Sequence, residues 1–220
     1  MVATAGETLE AWVKPVANME RLQVEAVCSL LGRSLGLPIP EPLFVLIGPE
    51  FGGPGVGFGS SAISHPNVAH WIDSSADIVK ARLKNWPKIV DAACFDEWIA
   101  NCDRHPGNLI HDGVDGFWLI DHDKAINSSI ACDTLSPVNQ LFSLIVEGAS
   151  EEQLLSLQQT VGAAMYEMQG SSLETVVEGL ALEAMGASLH QPIADWLISR
   201  QGHLMTFGNA RVPAKQAGVV

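Results

Sequence analysis

The sequence predicts an α+β fold of two unequal lobes, and three observations carry that expectation. Strand-like and helical patterns alternate through the first 48 residues. A glycine-dense stretch, Phe51-Gly-Gly-Pro-Gly-Val-Gly-Phe-Gly-Ser-Ser61, then reads as a flexible loop and a boundary. Beyond it the pattern is mainly helical, interrupted by one hairpin. The expected units are a small strand-and-helix lobe over 1–48 and a helical lobe over 49–220.

Taken in order, residues 8–14 read as a strand ending in Lys14, with Pro15 stopping the pairing. Asn18 is a good N-cap for a helix over about 19–35, whose Met19, Leu22, Ala26, Leu30 and Leu31 keep helical spacing. Gly36 and Pro38 end it. Glu25 falls beside this apolar stripe, an unusual place for a free carboxylate. Leu43–Ile47 is wholly apolar and reads as a buried strand. Helices are expected over 77–86 and 88–102, broken by Pro87, the second burying Ile89, Ala93, Cys94, Trp98 and Ile99 along one face. Four more are expected over 137–147, 151–168, 173–185 and 191–204, with a frayed tail after them.

Composition narrows the function classes. The chain carries 25 acidic and 12 basic residues, a balance that argues against a non-specific nucleic-acid binder, whose affinity comes from neutralised phosphates. An apolar share of 47% describes a globular protein. Cys28, Cys94, Cys102 and Cys132 form no CxxC pair and are expected to be reduced thiols in a cytoplasmic protein. The start has neither a basic region nor an apolar core, and no apolar run approaches the roughly 18 residues that span a bilayer.

The chemistry concentrates in Asn101-Cys-Asp103-Arg104-His105-Pro-Gly-Asn108 and in Leu119-Ile-Asp121-His122-Asp123. Between them, the Gly/Asp-rich turn His111–Gly116 would join strands at 108–111 and 117–120, returning Asp121 to the neighbourhood of Asp103 and Asn108. Two carboxylates and a carboxamide make a hard-oxygen site suited to Mg²⁺. An acid, an amide five residues later and a second acid after a hairpin are the parts that phosphoryl transfer needs, in the order kinases use.

Asn-x-Asp-Arg-His-x-x-Asn followed by Leu-Ile-Asp-His-Asp resembles the catalytic and metal-binding loops of HipA-like kinases, and more distantly those of phosphoinositide 3-/4-kinases. Trp12-Val-Lys14-Pro15, Glu25 in its helix, the run Leu35–Pro42 and Gly57-Phe-Gly-Ser60 are similar to the same family's N-terminal lobe. The resemblance covers about residues 12–123 and implies a two-lobed kinase-like fold. It implies that Asp103 is the catalytic base, that Asn108 and Asp121 hold Mg²⁺, and that Lys14 contacts ATP phosphates and pairs with Glu25. His105 would hold the loop or steady charge, Arg104 would neutralise a phosphate or brace Asp103, and Asp123 is a further candidate metal ligand. The implied partners are ATP and a protein Ser/Thr or small hydroxyl acceptor.

The pattern departs from the family at its start. Thirteen residues precede Lys14, and no glycine-rich lid for the phosphates is evident near Thr4–Glu7. A pseudokinase-like binding module, or a partner chain that completes or regulates the N-terminal lobe, would fit that departure. A metal phosphohydrolase of the HD type is the other enzyme class, drawing on His65, His70, His105, His111-Asp112, His122 and Asp123. Its ligands usually converge from helices, whereas His111-Asp112 falls in the hairpin turn. No Gly-x-Ser-x-Gly elbow supports a serine hydrolase.

Overall fold

The fold is a mixed helix-and-sheet arrangement, seen here in a computed structural model that describes residues 2–3, 8–15, 18–51, 55–173 and 190–213. Strands β1 (Val2–Ala3) and β2 (Thr8–Leu9) pair with each other. The main sheet is antiparallel, with β5 (Gly55–Ser61) lying between β3 (Ala11–Pro15) and β4 (Pro42–Ile47). The glycine-dense stretch is therefore the central strand of the sheet and not a loop over its whole length. Gly57 and Gly59 are buried where neighbouring strands crowd them. A Cβ on Gly59 would lie 2.9 Å from Val45 Cγ2, and one on Gly57 2.8 Å from Ile47 Cδ1. These glycines admit close neighbours; they do not confer freedom. A boundary at residue 48 would separate hydrogen-bonded β4 from β5.

The expectation of a buried strand at 43–47 also needs correcting. β4 is an edge strand, and Phe44 and Leu46 are 42% and 86% exposed. Apolar composition alone does not distinguish an edge strand from a central one.

Helix α1 (Met19–Ser34) begins as expected, with Asn18 Oδ1 accepting from Glu20 N at 2.8 Å. Leu22, Val27 and Leu31 enter the core, and Gly36 follows the helix at φ +72°, the left-handed conformation that favours glycine. Helix α2 (Ala69–Lys84) starts earlier than the expected residue 77.

Helix α3 (Ile89–Trp98) is the axis of the larger part. It was expected to bury one face, but Ala92 to Trp98 are all buried, including two carboxylates, Asp96 and Glu97. A buried carboxylate is tolerable only when cations and donors answer it. Asp96 receives Arg104 through two hydrogen bonds, Nε to Oδ2 and Nη2 to Oδ1, both 3.0 Å. Glu97 receives Arg200 Nη2 at 3.1 Å, Arg211 Nε at 2.7 Å, and both the amide and the hydroxyl of Ser136. One carboxylate thus anchors the loop after α3, and the other anchors the C-terminal helices.

After the hairpin of β6 (Leu109–His111) and β7 (Phe117–Leu119) come α4 (Gln140–Val146) and α5 (Glu151–Gln169). Ser150 and Gln153 form a reciprocal capping box at the start of α5. The helix expected over 173–185 lies outside the described residues after Leu173, as does the tail beyond 213. The single helix expected over 191–204 is two, α6 (His190–Gln201) and α7 (Leu204–Arg211), with a break that lets Arg200 and Arg211 both reach Glu97. Among the described residues, no helix is long and apolar enough to cross a membrane.

Candidate active site

Strand register determines what faces the cleft. Lys14 on β3 lies opposite Phe58, and Trp12 opposite Ser60, so these four side chains share one face of the sheet. They line a cleft of about 450 Å³ that Glu25 of α1 and Asp121 after β7 also border. That volume lies within the range of small-molecule sites. The Lys14 ammonium donates to Asp121 Oδ1 at 2.6 Å and stands 3.8 Å from Glu25 Oε2. The pairing of Lys14 with Glu25 implied by the resemblance is therefore present, at longer range than the Lys14–Asp121 contact.

The loop after α3 is built from inside outward. α3 ends at Trp98 rather than at 102, and Ala100 adopts φ +49° as the chain turns. Asn101 donates to Asp96 Oδ1 and accepts the Asp103 amide, each at 3.0 Å. Arg104 is fully buried, and besides Asp96 it donates through Nη1 to the carbonyls of Asn108 (2.9 Å) and Ile120 (2.7 Å). Its guanidinium is committed to holding two loops together. That geometry favours the bracing role over contact with a phosphate.

Asp103 stays accessible on this support. Its Oδ2 receives Lys124 Nζ at 2.9 Å and Asn108 Nδ2 at 3.4 Å, and His105 Nε2 lies 3.8 Å away. Nδ1 of His105 accepts from Gly107 N at 3.0 Å, which places the proton of a neutral ring on Nε2, facing Asp103. The Lys124 hydrogen bond is the main cause holding the Asp103 carboxyl below its usual pKa. All three contacts fall on Oδ2. None of them reaches Oδ1.

The hairpin forms as its sequence predicts, pairing Leu109 with Leu119, Ile110 with Trp118 and His111 with Phe117. Asp112 Oδ1 closes the turn by accepting from Val114 and Gly116. The hairpin thereby returns the chain to the loop after α3, where Ile120 N donates to Asn108 O at 3.2 Å. Asp121 then adopts φ +60°, a left-handed conformation that Asp tolerates better than most residues and that recurs at functional sites. One oxygen each of Glu25, Asp121 and Asp123 lie within 4.8 Å of one another. This is a hard-oxygen donor set of the kind that suits Mg²⁺. The Asn108 side chain bonds instead to Asp103, its Nδ2 donating to Asp103 O at 2.8 Å. Arg21 approaches Asp123 at 3.6 Å.

Burial shapes the electrostatics. It pushes the Glu25 carboxyl up to about 7 despite the Lys14 charge, since Glu25 is 3% exposed. At Lys14 burial acts downward, but Glu25 and Asp121 outweigh it and leave the pKa raised. Burial, followed by the Arg104 and Lys14 charges, holds the His122 pKa well below its usual value.

A family model described as HipA-like kinase matches residues 11–137, from β3 through the β6–β7 hairpin. The chain belongs to the HipA-like kinase family. The resemblance drawn from the two loops and the Trp12–Pro15 segment is thus correct, and the match extends past it to residue 137. A comparison with curated proteins finds no match. The HipA-like kinase region contains every site residue expected from the sequence, together with both sides of the cleft.

Contacts among the site residues form two groups joined through segment 120–124. Lys14, Glu25, Asp121 and Asp123 form one; Asp103, His105, Asn108 and Lys124 form the other. Sequence reasoning missed two members of the surrounding framework. Asp96 carried a legible signal, a carboxylate inside an apolar helix, whereas Lys124 carried none beyond its place one residue after Asp123. Among the described residues the HD-type reading finds no histidine in the acidic group, and His111 is buried in the hairpin, its ring stacked 4.4 Å from that of Phe117.

Proposed function

We propose that this chain is an ATP-dependent kinase that uses Mg²⁺ to transfer a phosphoryl group to a hydroxyl, with a protein serine or threonine as the favoured acceptor. The observation that carries the reading is the cleft-facing Lys14, held between Glu25 and Asp121, with Asp103 on the adjoining loop. A two-lobed kinase-like organisation goes with it, with the smaller lobe extending through β5 to Ser61.

In this reading Lys14 binds the nucleotide phosphates, and Glu25 keeps the ammonium pointed into the cleft. Asn108, Asp121 and Asp123 would hold Mg²⁺, which when bound neutralises phosphate charge. Asp103 accepts the acceptor hydroxyl's proton as the new O–P bond forms and the bond from the γ-phosphorus to its bridging oxygen breaks, leaving ADP. Oδ1 is the atom suited to that proton, because Lys124, Asn108 and His105 all engage Oδ2. Arg104 takes no direct part and positions the base from below.

The test is transfer of label from γ-phosphate-labelled ATP, with dephosphorylated casein and the chain itself offered as acceptors. Wild type is expected to transfer label only with Mg²⁺ present, and Asp103→Asn to lose transfer while still binding ATP. Wild-type protein that binds ATP with Mg²⁺ but transfers nothing would leave the pseudokinase-like module as the better reading. Transfer that proceeds undiminished in Asp103→Asn would remove Asp103 as the base.

A further inference from the structure

Lys124 is a cation at the base that neither the family match nor the expected site residues assign. Its ammonium lies 2.9 Å from Asp103 Oδ2, across 21 residues of sequence. It leaves the chain next to Asp123 and three residues after Asp121. Its side chain is 57% exposed, so the ammonium is reachable from solvent while it holds Asp103. The two lysines also divide the site. Lys14 pairs with Asp121, and Lys124 pairs with Asp103.

We infer that Lys124 is a further catalytic residue, which grips the phosphoryl group in transit between the nucleotide and the acceptor oxygen. The inference rests on the kinase reading above. Phosphoryl transfer spreads negative charge over the peripheral oxygens of the moving group, and preorganised cations lower that barrier. A lysine already seated beside the base meets this charge without reorganising the loop. It undergoes no covalent change: the acceptor O–P bond forms, the bridging O–P bond breaks, the proton goes to Asp103, and Lys124 shifts its hydrogen bond from Asp103 to a phosphoryl oxygen. Because the interaction strengthens only as charge moves, it acts on kcat and not on ground-state nucleotide binding.

The alternatives make opposite predictions. If the pair were an ordinary surface ion pair, removing it would change little. If it were a brake that occupies the base, removing it would speed transfer.

The experiment compares wild type, Lys124→Ala and Lys124→Arg, measuring kcat and KM for ATP with casein as acceptor, ADP release, and Mg²⁺–ATP binding by calorimetry. The expected result is a kcat lowered by ~10²-fold in Lys124→Ala, partly restored in Lys124→Arg, with the dissociation constant for ATP unchanged. A kcat that is unchanged or raised in Lys124→Ala overturns the inference while leaving the kinase reading intact, and so does a loss confined to ATP binding. A wild type that transfers nothing overturns both. Thermal melting of the three proteins separates loss of fold from loss of function.

Discussion

Lys14 Nζ lies 2.6 Å from Asp121 Oδ1 although 107 residues of chain separate them. The contact joins the sheet that roofs the cleft to the segment that follows the hairpin. It also places a cation on the carboxylate that would hold Mg²⁺, so the charge of Asp121 is answered within the chain. In the proposed reading, Mg²⁺–ATP binding exchanges this ion pair for phosphate and metal contacts. Replacing Lys14 by Met is expected to weaken Mg²⁺–ATP binding by ~10- to 100-fold, the range for one lost charged hydrogen bond. Calorimetric titration checks this; affinity equal to wild type would take Lys14 out of the nucleotide site.

Asp121→Asn keeps the size of the side chain and removes its charge. Binding of ATP in this variant is expected to need at least about tenfold more Mg²⁺ than wild type. A Mg²⁺ titration at fixed ATP reads the shift directly, and an unchanged midpoint would refute the metal assignment for Asp121.

Arg104 illustrates a residue whose role depends on burial. Its guanidinium and Asp96 are both fully buried and share two hydrogen bonds. Replacing Asp96 with Ala leaves the Arg104 charge without its partner, and the expected loss of stability is about 3–5 kcal/mol by urea denaturation. Arg104→Met leaves the buried Asp96 carboxylate without its cation in turn, and is expected to cost a similar amount. A variant at Arg104 with wild-type stability and no activity would return it to the phosphate-binding role.

Glu25 gives the folded protein a signature in pH. Its carboxyl is raised from 4.5 to about 7 by burial, so between those values the folded chain retains a proton that the unfolded chain has released. Stability from this group is present below pH 4.5, declines as pH rises toward 7, and is flat above it. His122 acts in the opposite sense, since its depressed pKa withdraws stability as pH falls below 6.5. The Glu25 contribution is therefore read as a difference: Glu25→Gln should lose less stability than wild type between pH 5 and pH 8. Equal losses in the two proteins would show that Glu25 does not hold the extra proton.

The site was legible mainly because its parts lie close together in the sequence. Asp103, Asn108 and Asp121 are joined by a hairpin whose Gly/Asp turn is recognisable, and the observed register differs little from that expected. Helix α1 was equally readable, since Asn18 caps it and Gly36 ends it through local backbone chemistry. Misreadings fell where neighbours decide. The glycines of β5 look the same in a loop as in a strand, until Val45 and Ile47 on the adjacent strand make them necessary.

By itself, then, the sequence determined the α+β class, the β6–β7 hairpin and the family, because turns, caps and short motifs act over a few residues. Only the tertiary structure decided that Gly55–Ser61 is the central strand, that Arg104 is a brace, and that Lys124 sits on Asp103. Each of those depends on burial or on a partner distant in the chain, and neither is written into a residue's immediate surroundings.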